Sequence, residues 1–190
     1  MEHVSVIENL VFAAMRRNGL TKKQAHERSM EMLKRFSLDE HAHKMPDEIS
    51  GGQRRRVAIL QQVLCTAQVG SFTLLLDEPF TGLDEVSKRN VCELIIECSK
   101  LDEFATIWVV SHDISETLAV SDHAFLLGWE YDENGDPIEG ATVLKNYDVA
   151  NNGLVWRDQG IFSKPEFVHL CNTIIEDIKY DNPSTRKRQV

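Results

Sequence analysis

The chain has 190 residues, 42% of them hydrophobic and 27% charged, with a formal net charge of -9. That length and balance fit about one soluble domain with a core of its own. The acidic charge argues against broad nucleic-acid binding, which needs a basic surface to displace counterions. No apolar run reaches the ~18 residues that a membrane-spanning helix requires.

The first elements read as helices. Ile7, Leu10, Val11 and Ala14 recur at helical spacing until Asn18-Gly19 breaks the pattern. The stretch Val4 to Met15 is interrupted by Glu8 and Asn9, and Arg16-Arg17 follow it, so it does not read as a signal peptide. Thr21 is placed to cap a second helix whose face is Ala25, Ser29, Met32, Leu33 and Phe36. A polar stretch punctuated by Pro46 leads to a third helix, expected from Ser50 to about Ala67 with Val57, Leu60 and Leu64 inward. The period then changes. Phe72 to Leu76 is a continuous apolar run, expected to be a parallel strand covered on both faces. A helix over Val86 to Lys100, a buried strand over Ala105 to Val110, a short helix over Ile114 to Val120 and a third strand over Ala124 to Trp129 complete an α/β alternation. Glu133 to Pro137 reads as the turn of a hairpin, and a last helix starts near Pro165, with Phe167, Leu170, Ile174 and Ile178 on one side. Cys65, Cys92, Cys98 and Cys171 form no Cys-x-x-Cys pair and read as reduced thiols packed like small hydrophobes.

Three segments carry chemistry. Ser50-Gly51-Gly52-Gln53 is at least a capping box, Ser at the cap and Gln three residues on. Two glycines in a helical first turn each cost roughly 1 kcal/mol against alanine, a cost better understood if a ligand approaches the backbone closely. Free amides and the positive helix end make an anion site there, and a bound anion would relieve the crowding of Arg54, Arg55 and Arg56. Asp77-Glu78 ends the first strand, at the edge where parallel sheets place ligands. One carboxylate there suits Mg²⁺ and the other suits a water, although solvated acids at a strand end are common. His112 ends the next strand, where a parallel neighbour would deliver it to the same edge. A lone histidine is weak evidence; in this series it counts for more. The other six histidines, including His41 and His43, show no metal-ligand spacing and are expected on the surface. Thr81-Gly82-Leu83-Asp84 alone is a tight turn.

In order and separation these segments resemble the signature, Walker B, D-loop and H-loop of the ABC ATPases, over roughly residues 3 to 130. The resemblance implies an incomplete P-loop NTPase fold with a helical subdomain, then parallel strands, a C-terminal hairpin and a helix. It divides 1–180 into a helical subdomain and signature helix at about 5–67, a Walker B to H-loop core at 72–130 and a hairpin and helix at 131–180, before a basic tail at 181–190. It implies ATP and Mg²⁺ as cofactors, Asp77 supporting the metal, Glu78 as catalytic carboxylate and His112 on the γ-phosphate. Ser50, Gly51, Gly52 and Gln53 would contact ATP held by a second ABC ATPase subunit in a head-to-tail dimer, with Asp84 communicating across the interface. A membrane permease subunit would be the other partner, placing the chain in the cytoplasm, peripheral on the inner face of the cell membrane. Residues 4–10 and 19–36 look most like polar amino-acid importer ATPases, with lipoprotein and macrolide exporters sharing much of the pattern.

The departures are as telling. The chain contains no Gly-x-x-x-x-Gly-Lys-Ser/Thr loop, the family's Q-loop glutamine would lie upstream of Met1, and Gln24 is no substitute. Without that cradle, phosphate binding loses its main electrostatic support, so the 190 residues alone are expected neither to bind ATP tightly nor to hydrolyse it. The leading reading is the C-terminal portion of an importer ATPase. Its rivals are a non-catalytic module lending its signature helix to a complete partner, and an ABC ATPase of translation or DNA repair.

Overall fold

The structure, a computed structural model, describes residues 4–66, 72–133, 136, 138–154 and 159–180. Ala67, the turn residues Asn134, Gly135 and Pro137, and the basic tail 181–190 lie outside the described residues. The chain divides into two units, Met1–Ser111 and His112–Val190.

In the first unit three helices pack together: α1 (Val6–Asn18), α2 (Lys22–Arg35) and α3 (Gly51–Thr66). Each starts where the sequence offers a cap. Ser5 and Glu8 close a capping box on α1, and Thr21 and Gln24 close one on α2. Gln24 is therefore a capping residue. Gly19 takes the left-handed conformation that ends α1, at φ 57°. The apolar faces meet as expected, Leu10, Leu33 and Leu60 all being fully buried, and each such side chain contributes roughly 1.5–3 kcal/mol. The polar stretch after α2 folds as two 3₁₀ turns, Asp39–His41 and Pro46–Glu48.

Strand β1 (Thr73–Asp77) pairs in parallel with β2 (Thr106–Val110), with Asp77 opposite Val110, and α4 (Glu85–Ser99) links them. The expectation of a strand covered on both faces is corrected here. Leu74 and Leu76 are buried, whereas Leu75 is 69% exposed and its neighbour Trp108 51% exposed. Alternate residues of a strand face opposite ways; α3 packs against β1 and α4 against β2, and the side carrying Leu75 and Trp108 stays open among the described residues.

The second unit holds α5 (Ile114–Ala119), β3 (His123–Gly128), β4 (Thr142–Asp148) and α6 (Pro165–Tyr180). Its core gathers Leu118, Val149, Ile161, Phe167 and Ile174. The hairpin forms as read, β3 against β4, antiparallel. Among the described residues β3 pairs with β4 alone. Pro165 starts α6, with Phe167 and Ile174 inward, while Ile178 is exposed. Among the described residues no helix is long and apolar enough to cross a membrane. All four cysteines are free; Cys92 and Cys98 are buried, and Cys65 and Cys171 only partly so. Burial pushes the Cys98 thiol up to about 12, as for an inert core residue.

Candidate functional site

The start of α3 closes on itself. Gln53 donates its backbone amide to Ser50 Oγ at 3.2 Å, and its Oε1 accepts the Ser50 amide at 2.9 Å. The other end of the Gln53 side chain, Nε2, lies 2.8 Å from His41 Nε2. Because Oε1 is already an acceptor, Nε2 is the donor, and the His41 ring takes the tautomer with its proton on Nδ1. His41 is thus half-buried against the start of α3, which corrects its expected place on the surface. Ser50 and Gly51 are exposed. The first amides of any helix have no intrahelical partner, so the Ser50 hydroxyl and the Gly51 amide are the groups this turn offers an anion.

The two glycines have different reasons. A Cβ at Gly52 would lie 2.7 Å from Ser87 Oγ and 2.9 Å from Ser87 Cβ, so Gly52 lets α3 pack against the start of α4. At Gly51 the nearest atom would be Arg54 Nη2 at 3.9 Å, leaving the backbone open to a ligand. The three arginines do not wait for an anion. Arg54 Nη1 donates to the carbonyls of Ile49 and Pro46, Arg55 Nη2 to that of Glu78 at 3.1 Å, and Arg56 Nη2 to that of Phe36. Successive residues point ~100° apart around a helix, so the three side chains reach three different segments. Burial lowers the pKa of Arg56, with Glu93 acting against the shift.

At the end of β1 the carboxylate of Asp77 is exposed. Glu78 follows in the left-handed region, at φ 46°, with its amide donating to Val110 at 2.8 Å. Its Oε2 accepts hydroxyl hydrogen bonds from Thr81 at 2.8 Å and Ser111 at 3.1 Å. The carboxylate is thereby aimed rather than loosely solvated. Asp84 caps α4: its Oδ1 accepts the Ser87 amide at 2.9 Å and its Oδ2 the Ser87 hydroxyl at 2.7 Å. Those two bonds, the amide first, hold its pKa below the usual carboxylate value.

The first unit therefore brings together Ser50, Gly51, Gly52 and Gln53 on one turn, and Asp77, the last residue of β1, with Glu78 and Asp84 on the segment after it. His112 is exposed and opens the second unit. The residue before it, Ser111, is the one that the first unit sets on Glu78. The sequence reading named Arg55, Thr81 and His41 without these partners, and it passed over Ser111, although Ser111 stands directly before His112. A concavity of about 1410 Å³ opens elsewhere in the first unit, lined by Phe12, Met15, Gln61, Cys65 and Leu75, and none of these is a site residue.

Residues 1–81 match the ABC transporter family model. The chain carries part of an ABC transporter ATP-binding domain. It is 43% identical over 122 residues to the spermidine/putrescine import ATP-binding protein PotA of Treponema pallidum, a match covering 63% of this chain and 30% of that protein. It is 36% identical over 153 residues to the Fe(3+) ions import ATP-binding protein FbpC of Rhizobium etli, covering 80% of this chain and 40% of that one. The chain thus spans well under half the length of these relatives. Among solved structures, a dimeric bacterial ABC transporter cassette superposes with a TM-score of 0.57 at 22% identity, over 78% of this chain and 58% of that chain. A dimeric cassette described as bound to ADP and Pi superposes with a TM-score of 0.54 at 23% identity, over 77% and 60%. These likenesses show the ABC ATPase fold.

Proposed function

We propose that this chain is the part of an importer's ATP-hydrolysing subunit that carries the signature turn and the catalytic carboxylate. The observation that carries the reading is Glu78, aimed by Thr81 and Ser111 directly after Asp77 at the end of a parallel strand. In this reading Glu78 takes the proton of the attacking water, and His112 contacts the γ-phosphate. The exposed carboxylate of Asp77 suits a hard cation. Mg²⁺ there would offset phosphate charge.

The Ser50 hydroxyl and the Gly51 amide face ATP held by a second ATPase subunit in a head-to-tail dimer. Gly52 brings α3 close, Gln53 fixes the turn, and Asp84 lies at the interface, holding the start of α4. Two structural neighbours are described as dimeric, which supports a dimer. The phosphate cradle falls to residues outside these 190, whose sequence contains no such loop. A permease would anchor the assembly to the cytoplasmic face of a membrane.

The names of the relatives move the solute away from the polar amino acid expected from residues 4–10 and 19–36. They specify spermidine/putrescine, ferric ions and glycine betaine/proline betaine, which share a cationic centre. Spermidine, putrescine and ferric ion carry net positive charge whereas the betaines are zwitterions, so it is the polyamine and ferric-ion relatives that favour a small cationic solute. Uptake of labelled spermidine, ferric ion, glycine betaine and glutamine by cells with and without the chain would separate these choices. Dependence for glutamine alone would return the solute to the amino acids.

The test of the activity is magnesium-dependent ATP hydrolysis by the assembly that contains this chain. Glu78→Gln should lower turnover by at least about a hundredfold, and an unchanged rate would sink the reading.

A further inference from the structure

We propose that Arg55 is a positioning residue for Glu78, so that the first turn of α3 sets the direction of the catalytic carboxylate within the same chain. The inference rests on the reading of Glu78 as that carboxylate. Glu78 has φ 46°, a conformation that a residue with a side chain holds only where its surroundings enforce it. Two bonds grip its backbone. Its amide donates to Val110 on β2, and its carbonyl accepts from the Arg55 guanidinium at 3.1 Å. A charged donor makes the second bond a strong one. Thr81 and Ser111 hold the carboxylate, but both act from segments next to the same bend, so their aim depends on the bend staying in place.

Arg55 and Gly52 lie three positions apart, on one face of α3. Both ends of the segment 78–87 rest on that face, the Glu78 carbonyl on Arg55 and Ser87 against Gly52. Arg54 and Arg56 cannot replace Arg55, since they bind the carbonyls of Ile49, Pro46 and Phe36. A shift of the signature turn toward or away from a nucleotide would therefore be felt at Glu78 through one guanidinium.

The test compares Arg55→Met, which keeps the stem and removes the donor, with Arg55→Lys, which keeps a charged donor at nearly the same reach. Hydrogen exchange is followed in the chain itself, and kcat and KM for MgATP in the assembly. Arg55→Met should raise exchange over 78–84 about tenfold while the amides of β1 and the rest of α3 stay at wild-type rates. It should lower kcat about tenfold and leave KM within about twofold, and Arg55→Lys should recover most of both losses. Unchanged exchange over 78–84, exchange raised uniformly along α3, or a higher KM with kcat intact would each overturn the proposal. If Arg55→Met fails to fold, Arg55→Leu, which also removes the donor, replaces it, with the same outcomes read. A wild-type assembly whose ATP hydrolysis ignores Glu78→Gln would instead defeat the functional reading, and exchange alone would then decide whether Arg55 holds Glu78.

Discussion

The helices of the first unit and its two strands are built from the same kinds of apolar residue, yet they end in different situations. Leu10, Leu33 and Leu60 vanish into a three-helix contact, whereas Leu75 and Trp108 stand open on a bare strand face. A helix closes its own hydrogen bonds and needs only one stripe covered. A strand needs neighbours along its edges and on both faces. Helical packing can therefore be complete within a short piece of chain, while a sheet depends on what else is brought to it.

Four substitutions or conditions would break or sharpen this contrast. The largest effect belongs to the helical core: Leu60→Ala should cost about 2–5 kcal/mol in urea unfolding followed by circular dichroism. A loss near zero would mean that the three helices do not hold the unit together. Next comes the contact between α3 and α4, where Gly52→Ala places a Cβ 2.7 Å from Ser87 Oγ. It should cost about 1–3 kcal/mol, and Ser87→Gly in the same chain should recover most of that; no recovery would remove the steric explanation.

The third is a pH effect in the second unit. Hydrogen bonds from Lys145 and then Tyr147 hold Asp177 below its usual pKa of 3.8. Its folded pKa is the lower one, so the stabilisation is present above the unfolded value and is lost as pH falls through the folded value. Thermal melts from pH 6 down to about pH 2 should show a flatter acid limb in Asp177→Asn. An identical acid limb would show that the pair contributes nothing measurable. The smallest effect is on the bare face: Leu75→Ala should change stability by less than about 0.5 kcal/mol. A loss like that of Leu60→Ala would mean that the face is covered in solution.

The same contrast explains what the sequence could disclose. Stripes such as Ala25, Ser29, Met32 and Leu33 and caps such as Thr21 are local signals, and the helices sit where those signals put them. The run Phe72 to Leu76 announced a strand, but nothing local told whether both faces would be covered. The pairing of β3 with β4 was legible, because the turn at 133–137 lies between two strands adjacent in sequence. At the site, the motif residues announced themselves, and their supports did not. Arg55 looked like one of three equivalent cations until its carbonyl partner, 23 residues away in sequence, was visible. Gly52 looked like Gly51 until Ser87 was seen beneath it. His41 offered no pattern at all, because its role depends on which end of the Gln53 amide faces it.

Trp108, half in solvent opposite Leu75, makes this protein its own optical gauge. Indole emission moves to shorter wavelength when water leaves the ring, so the colour of Trp108 reports whether that side of β1 and β2 is wet or dry. With Trp129 and Trp156 replaced by phenylalanine, a titration read in a fluorimeter would follow coverage of that face without any added label.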